Sequence, residues 1–235
     1  MTIGRGAVKY RNRPKRALDV VGSATLIVLT SPLLLAIALG VRWKMGSPVI
    51  FSQRRTGFQE QNFRIFKFRT MTSEIDADGV LLADSQRLTP FGSWLRSTSL
   101  DELPELYNVL RGEMSLVGPR PLPTHYTPFF TQAERVRFEV RPGMTGIAQT
   151  EGRNDLSWSQ RFAADVRYSD DCSLGLDAAI LLKTLFAVAN RSGLHINPGA
   201  VTPDLDVERS ELVADTLPVS LTADGALRIP PSGTR

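Results

Sequence analysis

Residues 17–41 read ALDVVGSATLIVLTSPLLLAIALGV, and this apolar run decides how the rest of the chain is expected to lie relative to a membrane. As a single α-helix the run would measure about 37 Å, which is enough to cross a hydrocarbon core of about 30 Å. Ser31 and Pro32 lie inside the run. A proline removes one helical hydrogen bond and bends the helix axis, so each half is too short to span a bilayer alone.

Both flanks of this run are basic. The cations before it are Arg5, Lys9, Arg11, Arg13, Lys15 and Arg16, and those after it are Arg42, Lys44, Arg54 and Arg55. Because membrane proteins carry their excess of Lys and Arg on the cytoplasmic side, two basic flanks place both ends of the run there. The sequence therefore predicts a re-entrant helix–break–helix with its break at Ser31 and Pro32. A spanning helix with a proline kink is the alternative.

The composition narrows the possible chemistry. The chain has 235 residues, a formal charge of +4 and a pI of about 9.5, and arginine supplies 23 of its 28 cations. Arginine suits phosphate and anionic lipid, because its planar guanidinium pairs with oxyanions in a bidentate manner. One cysteine and two histidines leave no disulfide framework, no cysteine zinc site and little basis for a Ser/His triad. The modest charge, without an aromatic and basic platform, argues against nucleic acid as a partner.

Residues 98–106 read TSLDELPEL and place two acids side by side. One interpretation is a helix start, with Ser99 and Glu102 as a capping box, or with Asp101 as the N-cap and Pro104 in the first turn. The other interpretation is a pair of carboxylates, Asp101 and Glu102, that carry out chemistry. In both cases the helix is expected to end at Gly112, a typical C-terminal stop.

The remaining chain divides into elements of ordinary type. Residues 47–53 and 62–69 have the composition of two short strands, and residues 174–189 are either a core helix or an amphipathic helix in the membrane interface. The predicted organisation is a basic N-terminal segment, a membrane element, a catalytic domain and a largely disordered or loosely docked tail, at residues 1–16, 17–41, 42–199 and 200–235.

Seven motifs, in this order along residues 13–195, resemble those of a known family. They are KRALDVVGS, the SP break, GSPVIFSQRRTG, FRIFKFRTM, LRSTSLDELPELYNVLRGEMSLVGPRP, RPGMTGIAQTEGRN and ADVRYS. The family is the bacterial sugar transferases, the monotopic polyprenyl-phosphate phosphoglycosyl transferases that start glycan assembly. The resemblance implies an α/β fold. A compact, helix-rich domain would sit on the cytoplasmic face of the bacterial inner membrane, carried by a re-entrant helix and by interfacial amphipathic helices.

The resemblance also implies a reaction. A sugar 1-phosphate would pass from a nucleoside diphosphate sugar, expected to be a UDP-sugar, to polyprenyl (undecaprenyl) phosphate, with release of UMP. Asp101 would be the nucleophile that forms an aspartyl phosphosugar, with Glu102 beside it and Mg²⁺ held by both acids. This reaction would be the first membrane step in the synthesis of an exopolysaccharide, O-antigen, capsule or glycoprotein glycan.

The residue types suit this chemistry, because a diphosphate repels a carboxylate nucleophile until cations cancel the repulsion. Arg96, Arg120 and Lys67 are the candidate phosphate-binding cations, and Arg120 is held between two prolines. Asp165 and Tyr168 are candidate site residues through the ADVRYS motif alone. Two other functions stay open: a non-catalytic basic peripheral membrane module, and a membrane-surface phosphatase or pyrophosphatase. A homo-oligomer also stays open.

Overall fold

A computed structural model describes residues 13–152, 156–189 and 204–214, and shows a mixed, helix-rich fold with two small sheets. The helices are α1 Arg13–Met45, α2 Asp84–Arg87, α3 Pro90–Ser97, α4 Glu105–Arg111, α5 Ile147–Glu151, α6 Trp158–Asp171, α7 Leu174–Ala189 and α8 Leu205–Ala214. The strands are β1 Ile50–Thr56, β2 Asn62–Phe68, β3 Ser115–Val117 and β4 Gly143–Thr145. Short 3₁₀ segments are Phe58–Glu60, Leu100–Glu102, Thr124–Phe129 and Glu134–Glu139. Most of the predicted basic N-terminal segment and of the predicted tail lies outside the described residues.

Helix α1 is one continuous helix of 33 residues, long and apolar enough to cross a membrane by length and composition. The chain stays helical through Ser31 and Pro32, so the predicted break is not a gap in the helix. Pro32 has no N–H to donate to the carbonyl of Val28, four residues earlier. The hydroxyl of Ser31 donates to that carbonyl oxygen instead, at 2.8 Å, and so replaces the missing partner.

The N-terminal end of α1 is fixed to the rest of the chain by polar contacts. Lys15 Nζ lies 2.5 Å from Asp177 Oδ2, and both side chains are buried. Arg16 donates to the carbonyl oxygens of Val109 and Leu110 at 2.6 and 2.8 Å, which are among the last carbonyls of α4. These contacts bind the first turn of α1 to α4 and to α7.

The C-terminal part of α1 packs on the same body of the protein. Ile37 and Val41 are buried in a cluster with Phe68 and Leu95. Between the two attached ends, α1 presents a row of exposed apolar side chains that include Leu26, Val28, Leu29, Leu33 and Leu35. The helix is therefore attached at both ends and apolar on the outside along its middle.

The two sheets are small and differ in type. Strands β1 and β2 form an antiparallel hairpin in which Ile50 pairs with Phe68. Strands β3 and β4 pair in parallel, with Ser115 opposite Gly143. The second predicted strand is confirmed at Asn62–Phe68, whereas the first begins at residue 50 instead of 47.

Helices α3 and α4 have the local signals expected of them. The side chain of Thr89 accepts from the amide of Gly92 at 2.9 Å, with proline in the first turn of α3. A Cβ at Gly92 would lie 1.8 Å from the carbonyl oxygen of Thr70, so only glycine allows α3 to approach this closely. Gly112 ends α4 with a φ of +84°, as predicted.

The two C-terminal helices, α7 and α8, pack on the domain in different ways. Helix α7 is not a core helix. Ile180 is buried, but most of the apolar side chains of α7 are exposed: Leu174, Leu181, Leu182, Leu185, Phe186 and Val188. Helix α8 falls within the predicted tail and is docked. Leu205 is buried against an aromatic cluster, and Arg209 pairs with Glu134 at 2.7 Å.

Candidate active site

The segment that opens with Ser99 is not a simple helix start. Residues Leu100–Glu102 form a 3₁₀ turn, Ser99 has a φ of 55° and makes no side-chain cap, and α4 begins later, at Glu105. The predicted capping box and the predicted N-cap at Asp101 are therefore wrong. The physical reason is that the carboxylate of Glu102 faces two cations instead of turning back to the amide of Ser99.

A compact charge cluster surrounds Glu102. Its Oε1 atom accepts from Lys67 Nζ at 2.6 Å and from Arg120 Nη2 at 2.7 Å. Lys67 Nζ also lies 3.1 Å from Oε1 of Glu105, a side chain that is 1% exposed. Asp101, which is 8% exposed, feels the charges of Lys67, Arg120 and a third cation.

That third cation is Arg96, and each cation comes from a different element. Lys67 stands on β2, Arg96 on α3, and Arg120 in the loop after β3. The Nε atom of Arg96 donates to the hydroxyl of Thr70 at 3.0 Å, which fixes its direction. The structure thus brings together Asp101, Glu102 and all three predicted phosphate-binding cations.

The neighbouring acids have opposite protonation behaviour. Burial, aided by the charge of Glu102, raises the pKa of Asp101 to about 6, although Lys67, Arg96 and Arg120 oppose the shift. Burial also pushes the pKa of Glu102 up, but the charges of Arg120 and Lys67 outweigh it and bring that pKa to about 2. Burial and the charge of Glu102 raise the pKa of Glu105 to about 7. At neutral pH Glu102 is fully ionised. Asp101 is also mostly ionised, but its burial and the charge of Glu102 make that ionised form unfavourable for the folded state.

A cleft of about 630 Å³ opens beside this cluster. Its charged part includes Arg96, Glu102 and Arg120, and the neighbours of Asp101 on both sides line it. Its apolar wall comes from the exposed faces of α1 and α7 and includes Leu26, Thr30, Leu181, Leu185 and Val188. The cleft therefore joins a cationic site to the exposed apolar surface of α1.

Comparison with known proteins identifies the family. The model of the family described as "Bacterial sugar transferase" matches residues 10–191. The chain belongs to the bacterial sugar transferase family. Its members include an uncharacterised sugar transferase of Bacillus subtilis, EpsL, which is 47% identical over 181 residues, covering 77% of this chain and 90% of the relative. The resemblance found in the sequence is thus confirmed, and the protein is a transferase.

Two further relatives carry more specific names. The exopolysaccharide production protein ExoY of Rhizobium meliloti is 38% identical over 200 residues, covering 77% of this chain and 88% of its own. A UDP-glucose:undecaprenyl-phosphate glucose-1-phosphate transferase of Caulobacter vibrioides is 41% identical over 181 residues, covering 73% of this chain and 68% of its own.

In this sugar transferase, Asp165 does not reach the charge cluster directly but acts on a residue that the sequence reasoning missed. Its Oδ2 atom lies 2.8 Å from Nη2 of Arg137, and Arg137 donates to the backbone carbonyl of Arg120 at 2.7 Å. The guanidinium of Arg137 lies 5.1–5.5 Å from the ring centres of Phe130, Phe138 and Phe162. Arg137 was missed because residues 131–140 have the pattern of a charged helix, which does not single out one arginine; only the tertiary structure encloses it.

The structure places Tyr168 apart from the charge cluster. Its side chain is 1% exposed, and its hydroxyl donates to Asp177 Oδ1 at 2.7 Å and lies 2.9 Å from the carbonyl oxygen of Val117. This phenol therefore joins α6 to α7 and β3, and it presents no surface to a substrate in the cleft.

The residues that could hold a metal ion are few. Within residues 13–152, 156–189 and 204–214, no three His, Cys, Asp or Glu side chains converge. Glu102 is engaged by two cations, whereas no described residue donates a hydrogen bond to the carboxylate of Asp101. Such a site suits Mg²⁺ that arrives with phosphate, because protein-bound Mg²⁺ commonly uses one or two carboxylates plus substrate oxygens.

Proposed function

We propose that this enzyme moves a sugar 1-phosphate from a UDP-sugar to undecaprenyl phosphate and releases UMP. The observation that carries the proposal is the cleft beside Glu102, which combines Arg96 and Arg120 with an apolar wall from α1 and α7. The names of the relatives from Caulobacter and Rhizobium support the same reaction and its use in exopolysaccharide synthesis.

The donor half of the reaction uses the charged part of the cleft. Arg96 and Arg120 bind the diphosphate oxygens and reduce the repulsion that an anionic nucleophile meets. A carboxylate oxygen of Asp101 attacks the phosphorus that bears the sugar, the bond from this phosphorus to the UMP oxygen breaks, and an aspartyl phosphosugar forms. Lys67 and Glu102 form a fixed ion pair that holds the positive charge of Lys67 beside Asp101.

Mg²⁺ is part of the proposal through Asp101 and the diphosphate oxygens of the donor. When bound, the ion would neutralise charge on the leaving phosphate. The predicted second ligand, Glu102, fits this role less well, because Lys67 and Arg120 already occupy its Oε1 atom.

The acceptor half uses the apolar wall. An oxygen of undecaprenyl phosphate attacks the same phosphorus, the bond to Asp101 breaks, and the free carboxylate returns. The long isoprenoid chain would lie along Leu26 of α1 and Leu185 of α7, whose side chains line the cleft and continue into exposed apolar surface. Burial of this chain away from water supplies binding energy at the membrane surface.

The contacts of α1 support the re-entrant arrangement over a straight crossing. A straight helix of 33 residues would measure about 50 Å. A crossing helix would carry one end to the far side of the membrane, yet Arg16 and Val41 both contact the same domain. We infer that both ends of α1 stay on the cytoplasmic side with the catalytic domain, and that its exposed apolar middle enters the cytoplasmic leaflet.

The test is the release of UMP by the purified full chain with UDP-glucose, Mg²⁺ and undecaprenyl phosphate. We expect continuous UMP release only when the lipid phosphate is present, at most about one UMP per enzyme without it, and no turnover for Asp101→Asn. Asp171→Asn is the matched control, because Asp171 is exposed at the end of α6. Without acceptor, sugar-labelled donor should leave label on the denatured wild-type protein and none on Asp101→Asn.

Other outcomes separate the remaining functions. Steady nucleotide release with water alone would indicate a phosphatase or pyrophosphatase. No release with any UDP-sugar tested would favour a non-catalytic membrane module. Full turnover by Asp101→Asn would remove Asp101 as the nucleophile.

A further inference from the structure

Helix α8 lies beyond the part of the chain that the family model matches, which ends at residue 191. Its first turn is nevertheless docked on the domain. Leu205 is fully buried in a cluster of aromatic side chains. The hydroxyl of Tyr126 donates to Oδ1 of Asp204, the residue before the helix, at 3.0 Å. The proposed reaction uses no residue of α8, so this docking needs a separate explanation.

Arg209 makes the strongest polar contact of α8. Its two terminal nitrogen atoms reach the two carboxylate oxygens of Glu134 at 2.7 and 2.8 Å, which is a bidentate pair. Its Nη1 atom also donates to the carbonyl oxygen of Phe129 at 3.0 Å. Arg209 is 6% exposed. An exposed ion pair fixes little, but a buried bidentate pair holds both side chains in one geometry.

The segment that Arg209 holds is the one that carries Arg137. Arg209 binds the first residue of the 3₁₀ segment Glu134–Glu139, and Arg137 follows one turn later. The two guanidinium groups also lie against the same ring, with their central carbons 5.1 and 5.4 Å from the ring centre of Phe162. Arg137 in turn donates to the backbone carbonyl of Arg120 at 2.7 Å. A continuous series of contacts therefore joins α8 to the loop of Arg120.

The aromatic cluster that receives Leu205 also reaches the cleft. Its members are Tyr126, Phe130, Phe138, Trp158 and Phe162. Trp158 and Phe162 line the cleft, whereas none of the described side chains of residues 204–209 does. Helix α8 can therefore act on the cleft through the cluster and through Arg137, without contact with a substrate.

We propose that docked α8 is a positioning element of the cleft, which fixes Arg137 and, through it, Arg120. A cation that is in place when the donor arrives stabilises the transition state better than one that must first reorient. Undocking of α8 should therefore lower kcat more than it raises KM for the donor. The effect on turnover rests on the proposed function, whereas the ordering of the loop that carries Arg120 does not.

The first test compares full-length variants in UMP release from UDP-glucose, at a temperature where each variant is folded. Arg209→Gln should lower kcat about fivefold with a smaller change in KM, because it loses the bidentate pair. Arg209→Lys, which keeps the charge beside Glu134, should recover part of that loss. Leu205→Ala weakens the docking without removing a charge and should change kcat in the same direction as Arg209→Gln.

Arg87→Gln is the matched control. Arg87 also pairs with a carboxylate, that of Asp84, and donates to the carbonyl oxygen of Leu82 at 2.7 Å. It does not line the cleft and does not contact α8. We expect Arg87→Gln to keep the kcat of the wild type.

A double variant separates positioning from a general loss of stability. If α8 acts through Arg137, then Arg209→Gln added to Arg137→Lys should slow the enzyme by less than about twofold beyond Arg137→Lys alone. Two losses that multiply would show that α8 acts independently of Arg137, and would overturn the proposal.

Hydrogen exchange without substrate tests the positioning apart from the reaction. The amide of Gly118 donates to the carbonyl oxygen of Thr145 at 2.8 Å, and it belongs to the same loop as Arg120. Exchange in residues 118–122 should be faster in Arg209→Gln and unchanged in Arg87→Gln. Faster exchange supports the proposal even where the wild type transfers no sugar, a result that would count against the proposed function alone. Unchanged exchange in both Arg209→Gln and Leu205→Ala would overturn the proposal.

Discussion

Asp101 and Glu102 are adjacent carboxylates in opposite electrostatic environments. Glu102 forms close ion pairs with Lys67 and Arg120, which keep it ionised. Asp101 is buried next to that negative charge and receives no hydrogen bond from the described residues, so its ionised form is stabilised less than that of Glu102. The environment thus gives two similar carboxylates different roles: Glu102 is a fixed counter-ion, and Asp101 is the candidate reactive group. Neighbouring acids in enzymes often differ in this way.

The raised pKa of Asp101 predicts a stability gain in Asp101→Asn that depends on pH. The folded-state pKa of about 6 exceeds the usual 3.8, so ionisation destabilises the folded state as the pH rises through this interval. We expect no difference in unfolding free energy below about pH 4, and Asp101→Asn more stable by about 2–3 kcal/mol above pH 7. Denaturant unfolding at both ends of this pH range checks the sign; a less stable variant at pH 7.5 would contradict it.

Glu102→Gln should have the opposite effect at neutral pH. Its lowered pKa means that the ionised carboxylate stabilises the fold above the usual 4.5, and this stabilisation is lost as the pH falls toward 2. Removal of the charge leaves Lys67 and Arg120 partly unpaired, with a loss of about 3 kcal/mol in unfolding free energy. Glu151→Gln, at an exposed pair with Arg167, should lose less than about 1 kcal/mol. Similar losses in the two variants would refute the argument that Glu102 is more strongly paired than an exposed glutamate.

At the scale of elements, α6 fixes the loop that carries Arg120 through Arg137. Asp165 on α6 pairs with Arg137, and Arg137 donates to the backbone carbonyl of Arg120. The side chain of Arg120 then reaches Glu102. This series of contacts runs from α6 to the segment that carries Glu102, and it gives Asp165 a positioning role through Arg137.

Arg137→Lys should therefore reduce turnover while keeping a positive charge at the edge of the cleft. Lysine keeps the charge beside Asp165 but lacks the planar guanidinium whose Nη2 atom contacts both Asp165 and the carbonyl oxygen of Arg120. We expect kcat to fall about tenfold, with a smaller change in KM for the donor, because a misplaced cation stabilises the transition state less than a fixed one. Arg111→Lys, at a half-exposed arginine, is the control and should keep normal kinetics. A change in KM alone would argue against positioning.

At the scale of the whole molecule, α1 and the domain form one unit. The helix is bound at its start through Lys15 and Arg16 and near its end through Ile37 and Val41, while its middle remains apolar and exposed. Because the cleft lies against Leu26 and Thr30, α1 forms part of the candidate site, and in the proposed function it also anchors that site to the membrane.

The re-entrant arrangement predicts that both flanks of α1 face the cytoplasm. Single cysteines introduced by Ala7→Cys and Ser47→Cys should both react with a membrane-impermeant maleimide only in inside-out vesicles. The native Cys172 is fully buried, so its background labelling should be low. Labelling of the two positions from opposite sides would establish a spanning helix instead.

The sequence by itself determined the family, an N-terminal helix long and apolar enough to cross a membrane, the stop at Gly112, and which acids and cations are candidates for the site. These features follow from residue types and their spacing over short stretches of the chain. Only the tertiary structure decided that Glu102 faces Lys67 and Arg120, that Arg137 is enclosed, that Tyr168 is buried away from the cleft, and that both ends of α1 meet one domain. These features depend on contacts between residues far apart in the chain. Such contacts are set by burial and by charge pairing, and local patterns do not encode them.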